Sequence, residues 1–135
     1  MVDINSNILS IDINNYLKNE LNLFQLFANK PSIKIRNVCV NTKTLNIDAA
    51  SRLLDGNIPD LIFIDADHSY ESIKHDFQTF FPLLREGGII GLHDINPDRG
   101  NGVPKFWEEI KKDNYSKEFR VKNYGWGGIG AILKK

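Results

Sequence analysis

Apolar and polar positions along this chain fall into short blocks whose period switches between two and about 3.6. Ile8-Leu9-Ser10-Ile11-Asp12-Ile13 reads as a strand, and Asn14 and Asn15 supply helix-capping chemistry after it. Leu17, Leu21, Phe24 and Ala28, backed by Leu23 and Phe27, predict a helix over 16–28, ended by Pro31. Residues 33–40 alternate and are rich in β-branched side chains, so a second strand is expected there. A short helix over 47–54 follows, closed by Asp55-Gly56-Asn57. Leu61-Ile62-Phe63-Ile64 is apolar without alternation and predicts a buried strand ending at Asp65. Tyr70, Ile73, Phe77, Phe80, Phe81 and Leu84 mark a helix over 70–85, with Ser69 as N-cap and Pro82 loosening its last turn. Gly87-Gly88 precede a buried strand over 89–92. A polar loop over 96–102 leads to a helix over 103–112, and strands are expected over 119–123 and 129–133 around a glycine-rich turn.

Alternating strands and helices predict an α/β fold: a Rossmann-like, mostly parallel sheet closed by a C-terminal antiparallel hairpin. Residues 1–135 are expected to form a single domain. The formal net charge of +0 gives no bulk attraction to nucleic acid or an anionic membrane. C-terminal lysines are interrupted by Glu108, Glu109, Asp113 and Glu118, as on a solvated face. No apolar run approaches a membrane span and no leader pattern opens the chain. The single cysteine, Cys39, cannot form an internal disulfide and is expected to be a buried, inert thiol. Together these features predict a cytoplasmic protein.

Candidate chemistry gathers where the apolar runs stop. If the strands before Asp65 and Asp94 are neighbours, they lie ~4.8 Å apart, and their terminal carboxylates can share one hard cation. His93 could add a nitrogen ligand and tilt the preference from magnesium toward manganese, iron or zinc. The alternative is that Asp94 caps the next turn and His93 packs at a strand end. His68 stands three residues past Asp65, placed to take a proton from a hydroxyl, or else to hydrogen-bond within the helix N-terminus. Asp67 is expected to organise that turn. Asp12, ending the first strand, could accept hydrogen bonds from ribose hydroxyls, although many strands end in aspartate.

Phe63-Ile64-Asp65-Ala66-Asp67-His68-Ser69-Tyr70, then Gly87-Gly88-Ile89-Ile90-Gly91-Leu92-His93-Asp94, then Gly102-Val103-Pro104-Lys105-Phe106-Trp107, are three ordered blocks. They resemble class I S-adenosylmethionine-dependent methyltransferases, in particular a small bacterial O-methyltransferase-like branch. The resemblance implies S-adenosylmethionine as cofactor, a divalent cation (magnesium or manganese) and methyl transfer to a small-molecule hydroxyl. It implies Asp65, His93 and Asp94 at the metal, His68 where the family places its catalytic base, and Asp12 at the cofactor ribose. His93-Asp94 replaces the family's aspartate-asparagine pair, which leaves the metal's identity open.

The family's first strand and glycine-rich loop have no counterpart before Ile8, so the resemblance runs from the family's second strand onward. That departure keeps a second expectation alive: a catalytically inactive Rossmann-like remnant serving as a binding or assembly module. An incomplete sheet would also expose an edge and promote homo-oligomerisation.

Overall fold

The protein is described here by a computed structural model that covers residues 6–14, 33–97, 102–120 and 127–135. It divides into two compact units, Met1–Thr44 and Leu45–Lys135. In the first, β1 (Ser6–Asp12) and β2 (Ile33–Cys39) pair in parallel, from Ser6 opposite Ile33 to Asp12 opposite Cys39. The Val40 amide donates to the Asp12 carbonyl at 2.8 Å and extends the ladder by one bond. The helix expected over 16–28 lies outside the described residues. Cys39 is exposed, not buried as its apolar neighbours suggested. Its Sγ lies 3.4 Å from the Ile13 carbonyl oxygen. Alternation explains the difference: on a two-sided strand, apolar neighbours do not fix which face a residue takes.

The second unit contains α1 (Ile47–Leu53), β3 (Leu61–Ile64), α2 (Tyr70–Phe80), β4 (Ile89–His93), α3 (Gly102–Ile110), β5 (Tyr115–Phe119) and β6 (Ile129–Leu133). Its sheet has the order β3-β4-β6-β5, with β3 and β4 parallel and β6 antiparallel to both its neighbours. This is the mixed α/β arrangement that the alternation predicted.

One face of the sheet is the core. Ile64, Ile90, Leu92 and Ile132 pack with Ile73 and Phe77 of α2 and with Val103, Phe106 and Trp107 of α3. Phe77 stacks on Phe81 at 4.7 Å and meets Phe106 edge-on at 5.5 Å. Gly130 makes room for Trp107, since a Cβ there would stand 2.6 Å from the indole ring. The indole N–H donates to Glu118 Oε1 at 2.7 Å, so the largest buried side chain leaves no unpaired donor.

The opposite face is apolar yet open. Leu61 is 65% exposed and Phe63 51%, and Ile89, Ile129, Tyr115 and Phe119 are exposed too. The expectation of a strand buried on both faces is therefore corrected for β3, where only Ile62 and Ile64 face inward. An apolar run without alternation records composition, not how many faces are covered.

Three boundaries also shift. The helix expected over 70–85 ends at Phe80 and passes into a 3-10 turn, Phe81–Leu83, because Pro82 offers no amide for the α-helical ladder. Lys134 Nζ closes that end by donating to the carbonyls of Phe81, Pro82 and Leu84. A strand is found at Tyr115–Phe119, where Tyr115 pairs with Leu133 and Phe119 with Ile129; of the strand expected over 119–123, residues 121–123 lie outside the described residues. Long-range register with β6 decides this placement, while Asn114 Nδ2 caps α3 at the Ile110 carbonyl and lets the chain turn early. Among the described residues, no helix is long and apolar enough to cross a membrane.

Candidate active site

Parallel register builds the site. Ile64 lies opposite Leu92, so the next residues, Asp65 and His93, leave the sheet side by side at the carboxyl ends of β3 and β4. Such carboxyl ends are where ligands bind in open α/β sheets. Strand parity puts Asp65 and His93 on the open face, and the His93 ring stands 6.4 Å from that of Phe63. Asp94 then turns with φ 61, a left-handed conformation that aspartate tolerates better than most residues. Asp94 shares the inward parity of Ile90 and Leu92 and is only 3% exposed.

His68 is delivered by the turn between β3 and α2. The Asp67 carboxylate accepts the Ser69 amide at 2.8 Å, which is the turn-organising role expected of it. Ser69 caps α2 as expected, accepting from the Ser72 amide and donating to Ser72 Oγ at 2.7 Å. The His68 carbonyl accepts the Gly102 amide at 2.8 Å, fixing this turn to the start of α3. Gly102 has no space for a side chain: a Cβ would collide with the backbone N and Cα of Tyr70. Tyr70 packs against Phe106 and donates its hydroxyl to Glu109 Oε2 at 2.6 Å, which raises its phenol above the usual range.

Four predicted residues thus meet. His68 Nε2 lies 3.6 Å from Asp65 Oδ1 and 3.4 Å from Asp94 Oδ2. His93 Nδ1 lies 3.3 Å from Asp65 Oδ1 and 3.3 Å from Asp94 Oδ1. His93 Nδ1 and Asp94 Oδ1 are both shut off from solvent and neither makes a hydrogen bond. Buried polar atoms without partners are rare in folded proteins. Among the described residues, no group of three or more His, Cys, Asp or Glu side chains is placed so that it could hold a metal ion. Asp12 belongs to the first unit, at the carboxyl end of β1, where its Oδ1 accepts the Asn14 amide at 2.7 Å.

The structure adds residues that the sequence did not single out. Asn96 is buried two positions past Asp94; its amide donates to the Gly127 carbonyl at 3.1 Å and its Oδ1 accepts from Arg120 Nη1 at 3.2 Å. Arg120 also donates to Glu118, whose carboxylate takes the Trp107 indole and Lys111 as well. The Arg120 and Trp107 bonds, with help from Lys111, hold Glu118 at a pKa of about 2. No local pattern announces these links, which join positions far apart in sequence. The Gly-Val-Pro opening of α3 was the one readable hint, since glycine at a helix start can mark a close backbone approach.

With this geometry in view, similarity becomes informative. A methyltransferase-domain family model matches residues 4–95, and the chain belongs to that family. The resemblance to class I S-adenosylmethionine-dependent methyltransferases is thereby borne out. An O-methyltransferase from Bacillus cereus, solved in complex with SAH, superposes with TM-score 0.60 at 19% identity, over 95% of this chain and 63% of its own. An rRNA methylase from Streptococcus thermophilus gives 0.67 at 5% identity, over 95% and 73%. The MycE methyltransferase of the mycinamycin biosynthetic pathway, in complex with Mg, SAH and mycinamycin VI, gives 0.58 at 15%, over 95% and 44%. An uncharacterized protein of Sinorhizobium fredii is 28% identical over 75 residues, which are 55% of this chain and 8% of that protein. The chain thus spans less than half of MycE and a small part of this curated relative. At these identities the solved structures define a fold, that of the methyltransferases.

Proposed function

We propose that this chain carries the acceptor and metal side of an S-adenosylmethionine-dependent O-methyltransferase site, acting on the hydroxyl of a small molecule. The observation that carries the reading is the meeting of Asp65, His68, His93 and Asp94 at the carboxyl ends of β3 and β4, with two buried donor atoms left unpaired. Family membership supports methyl transfer, and SAH in the Bacillus cereus and MycE structures, with Mg in the latter, supports the pairing of cofactor and cation.

Two carboxylates and an imidazole nitrogen are donors that divalent cations take, and they would have to draw together to share one. When bound, S-adenosylmethionine supplies an electrophilic methyl group, and the cation lowers the pKa of the acceptor hydroxyl. Asp65, Asp94 and His93 would hold the cation. His68 Nε2, 3.6 Å from Asp65 Oδ1 and 3.4 Å from Asp94 Oδ2, would receive the hydroxyl proton. The Ser69 cap and the Gly102 amide hold the His68 backbone, so the base is positioned before an acceptor arrives. Asp12 is assigned to the ribose hydroxyls of the cofactor, which suits a carboxylate closing a parallel strand.

Calorimetry with manganese, then with S-adenosylmethionine, tests the reading. Saturable manganese binding that disappears in Asp65→Ala supports it. Absence of binding at millimolar metal, or binding unchanged in Asp65→Ala, overturns it in favour of a non-catalytic module.

A further inference from the structure

We infer that Asn96 and Arg120 are positioning residues for Asp94: the hydrogen bond between them holds the chain beyond β4 so that the Asp94 carboxylate stays against His68 and His93. This deepens the proposed function and rests on it only for its meaning in methyl transfer, since the geometry concerned belongs to the chain alone.

Asp94 holds φ 61, a conformation that costs a non-glycine residue energy and persists only where its surroundings impose it. Among the described residues, Asp55 is the one other non-glycine residue with positive φ, at 53, and it lies in an exposed turn beside Gly56. Asp94 is instead buried, and its Oδ1 makes no hydrogen bond that would favour the conformation locally. The cause therefore lies on either side of it. Pairing of β4 with β3 and β6 fixes the chain up to His93, and the residues after Asp94 must fix the rest.

Those residues are gripped from several directions. Ile95 is buried and belongs to the core. The Asn96 amide donates to the Gly127 carbonyl at 3.1 Å, and its Oδ1 accepts from Arg120 Nη1 at 3.2 Å. Gly128 closes against the same pair: a Cβ there would stand 3.1 Å from Asn96 Oδ1 and 3.2 Å from Ile95 Cγ1. Arg120 is itself held, since its Nε donates to Glu118 Oε2 at 2.9 Å while Glu118 Oε1 accepts the indole N–H of the fully buried Trp107 at 2.7 Å. A planar guanidinium serves Glu118 through Nε and Asn96 through Nη1 at once, which a single ammonium cannot do in the same geometry. A line of side chains, Trp107 to Glu118 to Arg120 to Asn96, thus ties the turn after β4 to the core.

The consequence falls on the site. Asp94 presents Oδ2 to His68 Nε2 at 3.4 Å and Oδ1 to His93 Nδ1 at 3.3 Å. With β4 fixed, the φ of Asp94 decides where its Cβ stands. Relaxation from 61 to the ordinary negative range turns that Cβ through about 120° and takes the carboxylate from both imidazoles together. Asn96 and Arg120 thereby act on the two histidines through Asp94.

Nuclear magnetic resonance of the full chain, free of metal and cofactor and at one fixed pH, provides the test. The backbone 13C and 15N shifts of residue 94 report the sign of φ, and the imidazole 15N signals of His68 and His93 report the carboxylate beside them. His75, on α2, is the internal reference. In Arg120→Met the positive-φ shifts of Asp94 should be lost and both imidazole signals should move, while that of His75 stays. Lys111→Met is the control: it removes another hydrogen bond to Glu118 and leaves the bond from Arg120 to Asn96 in place, so residue 94 and both histidines should read as in wild type. Wild-type signals at Asp94, His68 and His93 in Arg120→Met, or equal movement of them in Lys111→Met, would overturn the inference. Should Arg120→Met not fold, Arg120→Lys is read by the same criteria. Neither readout uses a cation or a cofactor, so the proposed function stands or fails separately, on manganese calorimetry.

Discussion

Replacing Gly102 by alanine isolates one contact that carries much of the site's rigidity. Gly102 carries none of the left-handed strain recorded at Gly56, Gly87, Gly127 and Gly128, so the penalty of a side chain there is steric. A Cβ would overlap the Tyr70 backbone and stand 2.7 Å from the Ser69 carbonyl carbon, against the 3.4–4 Å of ordinary contact. Backbone cannot rotate away as a side chain does, so the start of α3 must retreat by about 1 Å. That retreat breaks the 2.8 Å bond from the Gly102 amide to the His68 carbonyl, a loss of about 0.5–1.5 kcal/mol. Repacking Val103, Phe106 and Trp107 adds about 1–3 kcal/mol. The better helix propensity of alanine returns up to about 1 kcal/mol. The net loss is about 0.5–4.5 kcal/mol, centred near 2.5 kcal/mol, a fall in Tm on the order of 10 °C. Urea denaturation followed by circular dichroism measures it, with Gly56→Asn as the control. Gly56 has φ 77 but nothing within 4 Å of its hypothetical Cβ, and asparagine tolerates that φ, so the control should lose well under about 1 kcal/mol. A Gly102→Ala protein as stable as wild type would refute the steric account.

Two further outcomes are expected. Glu118 has its folded pKa depressed to about 2, so its contribution to stability is present above the unfolded value of 4.5 and is lost as pH falls from there toward 2. Thermal melts of wild type and Glu118→Gln should therefore differ at pH 6 and converge near pH 2; a gap that does not narrow contradicts the sign. Asp94→Asn keeps a residue that accepts φ 61 and removes a buried charge, so the metal-free protein should be as stable as wild type or more so. Asp94→Ala should be about 1–2 kcal/mol less stable than Asp94→Asn, because alanine is strained in that region. Urea midpoints in the presence of a chelator compare the two.

The sequence was most readable where chemistry and periodicity coincide. The runs ending at Asp65 and Asp94 announced two strands and their acidic ends, and the observed parallel register joins those ends in one cluster. Ser69 and Asp67 were readable because capping and turn chemistry are local. The start of β5 at Tyr115 was missed because it depends on pairing with β6, a non-local term that no window along the chain contains. The open face of β3 escaped for a related reason: an apolar residue does not tell whether another element covers it. Asn96 and Arg120 escaped because a single long-range hydrogen bond leaves no periodic trace.

Two hydrogen bonds described above, Asn96 to Gly127 and Gly102 to His68, act together as bookends. Each fixes the chain to a part of the second unit that does not depend on what lies between them. The chain is thus tied to the second unit by a backbone bond of its own at Asn96 and again at Gly102. Chimeras that swap residues 97–101 between relatives should therefore keep His68, His93 and Asp94 in register, because the bonds on either side, Asn96 to Gly127 and Gly102 to His68, are made by the backbone.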